Sequence, residues 1–404
     1  YCMLFDCTST VKMTNVFKKT ILKYIQTVGP RNEIDDIFFP ALVYQSIYGQ
    51  QVLDPRWSWR KHFIHQLLNV FLFIYVFIGT VECLKTSDDK DLQAEAYYTI
   101  IMITMFPVKM VLFIKSRYTF RDLYATIKNT LIDVIRRNPT ADIKRVLQTG
   151  NRIVYSLFCI AIAPVLIYEL TTLWNYIAGT RILLSRSTMT LMPMSSPYYE
   201  IAWFLHTILM FEISSTMILD MWFIVLIYFL CTACQGLVSI LKVERSTGSD
   251  EYAERLNKAL REFYYTHLKL NKYLSLLIKM YKVSALIPLC NAAMCICLNL
   301  LLMSKEINWR FAPHMIPMFA EIFVYNWFGE QIKTKTNDVK LALLDFEWTS
   351  LKPKDRNAYL AIIIFMTKEV GLKTISGNDL SLITMTAVLK ITYQSFTVLQ
   401  TIDA

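Results

Sequence analysis

The sequence predicts an all-α polytopic membrane protein of seven transmembrane helices, with its N-terminus cytoplasmic and its C-terminus extracellular. Three observations carry this. Of 404 residues, 54% are apolar and only 18% charged, against ~25% charged in an ordinary soluble domain, and the mean hydropathy is +0.36. The apolar residues gather into runs of about 20 or more, the length that crosses a ~30 Å hydrocarbon core. The basic residues fall on alternate connections between those runs.

The runs are Phe63–Leu84, Ala96–Ile114, Ile153–Ile177, Ile201–Ile240, Val283–Met303, Phe311–Gln331 and Leu380–Gln400. The fourth is long enough for two spans, measuring about 60 Å as a helix at ~1.5 Å per residue. It contains no Gly/Pro/Asn cluster, and Gly236 lies close to its end. One helix projecting beyond the bilayer is therefore expected.

Segments 1–62, 115–152, 241–282 and 332–379 together hold 34 of the 42 Lys and Arg, and the alternating connections hold 6. The positive-inside rule places the basic set in the cytoplasm. Splitting the fourth run would put the 241–282 block outside and destroy the alternation. The chain then divides into a cytoplasmic N-terminal segment (1–62), a six-span bundle with inner extensions (63–331), a cytoplasmic anchor segment (332–379) and a seventh span with a short outer tail (380–404). The N-terminal stretch has no run resembling a cleavable signal peptide, so the first span directs insertion.

The inner segments carry helical periodicity. Leu123, Ile127, Leu131 and Ile135 recur one turn apart, followed by Ile143, Val146 and Leu147. Tyr252, Leu256, Leu260 and Phe263 lead similarly into Leu268, Leu270, Leu274, Leu277 and Ile278. Amphipathic helices therefore run into spans 3 and 5, and Asn357–Val370 forms another. They build an anchor bundle beneath the membrane, either as each subunit's own core or as the place where subunits meet.

Several function classes find no support. The net charge of +10 sits beside apolar spans, which suits anionic lipid rather than nucleic acid. Cys231 and Cys234 have C-x-x-C spacing but no second ligand pair to close a metal site, so they read as packing. No phosphate loop, H-E-x-x-H or G-x-S-x-G is present; the chain is read as a non-enzyme without cofactor or metal. A G-protein-coupled receptor would have the opposite orientation, with an Asp/Glu-Arg-Tyr ending span 3 and Asn-Pro-x-x-Tyr in span 7. A transporter would show repeats or paired broken helices. Lys109, Glu169, Glu212, Asp220 and Glu321 lie within spans and are functional candidates by default, but read as too scattered to form a proton relay. Pro107, Pro164, Pro288, Pro313 and Pro317 are expected to kink their helices.

Residues 325–330 read Tyr-Asn-Trp-Phe-Gly-Glu, followed by Trp348. Residues 379–399 contain Leu-Ser-Leu, Val-Leu-Lys and Tyr-Gln-Ser-Phe-Thr-Val-Leu. With Ser196-Pro197-Tyr198-Tyr199-Glu200 and His267, this resembles the insect odorant receptor family, most specifically over the last ~80 residues. The short second inner loop and the ending Gln400–Ala404 resemble a tuning subunit rather than the longer co-receptor. Gustatory receptors share the plan, and Thr392-Tyr393 resembles their motif, but Gln400 is followed by Thr401.

The resemblance implies an odorant-gated, non-selective cation channel, with four subunits around a pore and the co-receptor as partner. It implies residence in the plasma membrane of olfactory neuron dendrites. Span 7 would line the pore, with Val398 as the gate, Ile402 one turn beyond, Gln400 and Thr401 at the mouth, and Gln394 deeper. An apolar ring of this kind closes a pore by dewetting. The alternative for Val398 is packing against lipid or span 5, and for Lys390 snorkelling or pairing within the subunit. The ligand is a small volatile apolar molecule. Its site would lie in the outer half of the bundle, among Tyr97, Tyr98, Met102, Tyr168, Thr171, Trp174, His206, Met210, Phe311, His314 and Met315. Trp174 and Tyr98 are equally read as interfacial aromatics.

Overall fold

The computed structural model describes residues 24–138, 142–183, 191–245, 249–305, 312–366, 371–374 and 377–403. Its regular elements are helical, and an isolated antiparallel bridge joins Lys373 to Asp379. In chain order the helices are α1 (Glu33–Ile37), α2 (Phe39–Ile47), α3 (Phe63–Thr86), α4 (Lys90–Lys115), α5 (Arg117–Thr126), α6 (Ile132–Arg136), α7 (Ile143–Ile177), α8 (Tyr198–Ile240), α9 (Ser249–Ser284), α10 (Leu286–Lys305), α11 (Ala312–Leu344), α12 (Pro353–Met366) and α13 (Leu382–Asp403). A π turn, Ile127–Leu131, joins α5 to α6.

Among the described residues, six helical stretches are long and apolar enough to cross a membrane, and they overlap the expected spans 1–5 and 7, the fifth being the α9–α10 run Asp250–Leu301. The sixth expected span, Phe311–Gln331, begins outside the described residues and otherwise occupies the first half of α11. Glu321 and Asn326 make that half more polar. It tolerates them because α11 packs against α8, α10 and α13, and polar groups in a span are admissible where they face protein.

The fourth run is a single helix of 43 residues, about 65 Å at ~1.5 Å per residue. Residues 221–230 are apolar on every face, as a helix enclosed by others must be: Trp222, Phe223, Val225, Leu226, Ile227 and Phe229 are all buried. Spans 3 and 5 also receive the inner helices as expected. The inner helix and span 3 are continuous in α7, whereas α9 yields to α10 through one turn residue, Ala285. Pro288 lies in the first turn of α10 and has no N–H to continue the ladder.

The end of the bundle that charge assigns to the cytoplasm is a packed helical core. Trp222 stacks on Phe38 at 4.1 Å and meets Phe120 and Tyr124 edge-on. The N-terminal segment is part of this core. Asn32 caps α1 with a reciprocal capping box through Asp35. Asp35 then accepts from Lys128 Nζ at 2.8 Å and from the Tyr124 hydroxyl at 2.6 Å. Arg121 donates to the carbonyls of Val52 and Asp54 at 2.7 and 2.6 Å. The Tyr252 hydroxyl donates to Glu347 at 2.8 Å, which holds that carboxyl below its usual range and fastens α9 to the turn at Trp348. The expected helix Asn357–Val370 is realised as α12, and residues 367–370 lie outside the described residues.

Candidate functional site

In the outer half, α4 aims Tyr98 inward. It is buried and faces Tyr168 on α7 and Cys295 and Asn299 on α10. Asn299 is fully buried beside Tyr98. One turn along α4, Met102 is half-buried against the core, as is Met315 on α11. Next to this lies a small apolar cluster of Leu72, Val76, Ile103 and Leu209. There the buried His206 meets the Tyr75 ring edge-on at 6.2 Å, and Met210 is half-buried. Aromatic rings, thioethers and a few polar groups converging between helices are the usual makings of a site for a small apolar molecule.

Tyr97, Thr171 and Trp174 face outward from this single chain, with Tyr97 54% and Trp174 72% exposed. Tyr97 follows from its neighbour: adjacent residues on a helix lie ~100° apart, so burying Tyr98 turns Tyr97 away. The Thr171 hydroxyl bonds its own helix at Ile167. Phe311 and the His314 side chain lie outside the described residues. Asn299, Cys295 and Tyr75 are additional members of the region. Asn291 and Asn299, eight residues apart and both buried on α10, were the available signal, since that spacing puts them on one helix face.

The last helix, α13, packs on α10 and α11 through one seam. Met385, Val388, Leu389 and Phe396 are half-buried and Thr392 is buried. The rest of its surface is uncovered. Lys390, Gln394, Val398 and Thr401 follow one another a turn apart along the open side, with Val398 57% exposed. Gln400 is also exposed, and the Ile402 side chain lies outside the described residues.

The start of α13 is held by the motif residues. Ser381 Oγ accepts from the Thr384 amide at 3.2 Å, an N-cap, and the Leu380 amide donates to the Leu372 carbonyl at 2.8 Å. Gly329 of Phe-Gly-Glu touches this point directly. A Cβ placed on it would lie 2.3 Å from the Leu380 carbonyl oxygen, so only glycine lets α11 approach the chain entering α13. At the opposite end of the same motif, the Tyr325 hydroxyl donates to Asp220 at 2.5 Å. His267 is stacked on Phe263 and edge-on to Phe365, and burial pushes its pKa below 6.5.

Three of the five span ionisable residues meet in space, while Glu169 and Glu212 stand apart from them. Lys109 Nζ on α4 donates to Asp220 on α8 at 2.7 Å and to Glu321 on α11 at 2.6 Å. Glu169 accepts from Trp203 Nε1 and the Thr207 hydroxyl, each at 3.0 Å, fastening α7 to α8.

A family model described as 7tm odorant receptor matches residues 92–393. Two solved structures are similar in fold: the insect olfactory receptor OR5 from Machilis hrabei (TM-score 0.70) and the same receptor in complex with eugenol (TM-score 0.73). Each is 14% identical and covers 91% of this chain and 97% of that chain. No curated protein matches the sequence. The family match covers most of the chain, the helical architecture agrees with it, and the Phe-Gly-Glu and Leu-Ser-Leu motifs meet at one contact: the chain belongs to the 7tm odorant receptor family, as a multi-pass membrane protein.

Proposed function

We propose that this chain is an odorant-binding tuning subunit of an odorant-gated, non-selective cation channel, assembled as a heterotetramer with the odorant receptor co-receptor in the plasma membrane of olfactory dendrites. The observation that carries the reading is α13. It has the length and composition of a span, yet it is almost entirely uncovered in the single chain and presents Lys390, Gln394 and Gln400 outward. An ammonium and two amides are costly against lipid. They suit a helix facing water or neighbouring subunits.

On this reading Val398 forms the apolar gate, with Ile402 beyond it and Gln394, Gln400 and Thr401 along the path. Residues 332–379 anchor the subunit below the membrane. The solved relative takes eugenol; by analogy this chain takes a small, largely apolar volatile beside Tyr98, Met102, Tyr168, His206, Met210 and Met315. The ligand opens the channel only by binding the open arrangement more tightly than the closed one. Gly329 and Leu380 give α11 a direct mechanical contact with the pore helix.

Orientation tests the reading. An epitope appended at the C-terminus is expected to be stained in intact cells, and one at the N-terminus only after permeabilisation. The opposite pattern would return the chain to the G-protein-coupled class.

A further inference from the structure

Two stretches distant in sequence meet where spans 1 and 2 end. Segment 50–62 leads into α3, and residues 115–122 pass from α4 into α5. Arg121 on α5 donates to the carbonyls of Val52 and Asp54. The Arg117 guanidinium lies 5.9 Å from the Trp57 ring centre and 4.4 Å from that of Tyr118. The two stretches hold six cations, Arg56, Arg60, Lys61, Lys115, Arg117 and Arg121, against two acids, Asp54 and Asp122. The apolar helix of span 1 begins at Phe63 and that of span 2 ends at Lys115, so the cluster stands at the edge of the bilayer.

These cations are crowded and uncompensated. Arg56, Arg60 and Lys115 are exposed, and their side chains make no ion pair or hydrogen bond among the described residues. Lys61 approaches Asp54 only to 3.9 Å. Arg117 is held by the Ile114 carbonyl and the Tyr118 hydroxyl rather than by a carboxylate. Arg121 also approaches the Tyr118 ring, at 5.7 Å, and burial, with the Arg117 charge added, lowers its pKa. Elsewhere on the inner helices exposed arginines have carboxylate partners: Arg136 on Glu33, Arg137 on Glu262 and Arg245 on Glu347. Like charge gathered in one place without such partners calls for an anion from outside the chain. The location says which kind. Cations just cytoplasmic of a span reach the headgroups of the inner leaflet, and the exposed rings of Trp59 and Tyr118 are of the type that settles at headgroup level. A headgroup with several phosphates meets several of these cations at once, whereas a singly charged one leaves most of them unpaired.

We infer that segment 50–62 and the start of α5 form a docking site for an inner-leaflet phospholipid whose headgroup carries more than one phosphate, as in the phosphoinositides. Arg117 and Arg121 are oriented in advance by their carbonyl, hydroxyl and ring contacts. Arg56, Arg60, Lys61 and Lys115 supply the rest of the charge. A lipid held there ties segment 50–62 to α5 and so fastens the inner ends of spans 1 and 2 to each other. The site rests on the orientation that charge assigns to the bundle and does not depend on the channel reading.

Lipid capture by the purified full chain tests it. The detergent-solubilised protein is offered equal amounts of phosphatidylcholine, phosphatidylserine and phosphatidylinositol bisphosphate, and the lipid retained after affinity capture is quantified by mass spectrometry. The bisphosphate is expected to be retained in preference to the other two. Each cation removed near a headgroup weakens binding about fivefold, so Arg56→Gln combined with Arg60→Gln is expected to weaken it about thirtyfold. Both side chains are exposed and unpartnered, so the double variant is expected to melt with the parent. Lys258→Gln combined with Lys269→Gln removes the same charge from exposed positions on α9 and is expected to leave retention unchanged. Equal retention by the parent and the Arg56/Arg60 variant would overturn the inference. So would phosphatidylserine retained as well as the bisphosphate, which would reduce the site to general surface charge. Full displacement by an equal concentration of inositol trisphosphate, which lacks acyl chains, would make the partner a soluble phosphate and overturn it too.

Discussion

Replacing Gly329 by alanine isolates the contact between α11 and the chain entering α13. The new Cβ would lie 2.3 Å from the Leu380 carbonyl oxygen, 2.5 Å from its Cβ and 2.9 Å from its carbonyl carbon, where ordinary contact begins at 3.4 Å. The Leu380 backbone must therefore retreat by roughly 1 Å, the gap between those distances and normal packing. No side-chain rotation relieves this, because the obstructing atoms are largely main chain, and that main chain is hydrogen-bonded to Leu372. Overpacking costs about 1–3 kcal/mol, and the upper end applies here. Alanine recovers up to ~1 kcal/mol of helix propensity, leaving a net loss of about 2 kcal/mol. Gly150→Ala on α7 is the control. Its Cβ would meet Phe229 at an ordinary 3.5 Å, so it keeps the propensity gain without the clash. Thermal unfolding of detergent-solubilised protein, followed by size-exclusion fluorescence, is expected to show Gly329→Ala melting well below both the parent and Gly150→Ala. Equal melting of Gly329→Ala and the control would refute the close-approach argument.

Three further outcomes follow from the packing and the site. Lys128→Met leaves the buried Asp35 without its cation though still hydrogen-bonded by Tyr124 and Asn32, which puts the cost at the lower end of about 3–5 kcal/mol; the same melting assay checks it. His267 is held neutral by burial, with its folded pKa below the unfolded 6.5. The unfolded chain therefore takes up the proton first as pH falls. Stability drops as pH falls below about 6.5, until the folded site also protonates. His267→Phe, which keeps the stack on Phe263, is expected to flatten that slope. Val398→Ala thins the proposed gate and is expected to give leak current without ligand or altered ion permeability; unchanged gating and permeability would remove Val398 from the gate.

The spans were legible because bilayer thickness sets a length that apolar runs cannot hide. The single 43-residue α8 was legible because nothing in its run breaks a helix. The N-terminal segment was not, because α1 and α2 are too short to show a period. What fixes them is Asp35 on Lys128, 93 residues away. The Lys109 cluster was invisible for the same reason. Each member is one polar residue in an apolar run, and only the packing of α4, α8 and α11 makes them neighbours. In the outer half, the residue types of the aromatic region could be read, but not which of two adjacent tyrosines turns inward. Burial of Tyr98 and exposure of Tyr97 depend on helix rotation, which an apolar run specifies weakly when lipid and protein interior are equally apolar.

The proposed role as the tuning subunit of a channel can be tested in living cells. The most direct measurement is voltage clamp of cells expressing it with and without an odorant receptor co-receptor, under a panel of volatiles and with G-protein signalling blocked. A rapid, ligand-evoked cation current is expected only in the co-expressing cells, indifferent to the block. With surface expression confirmed, a current abolished by the block would contradict it.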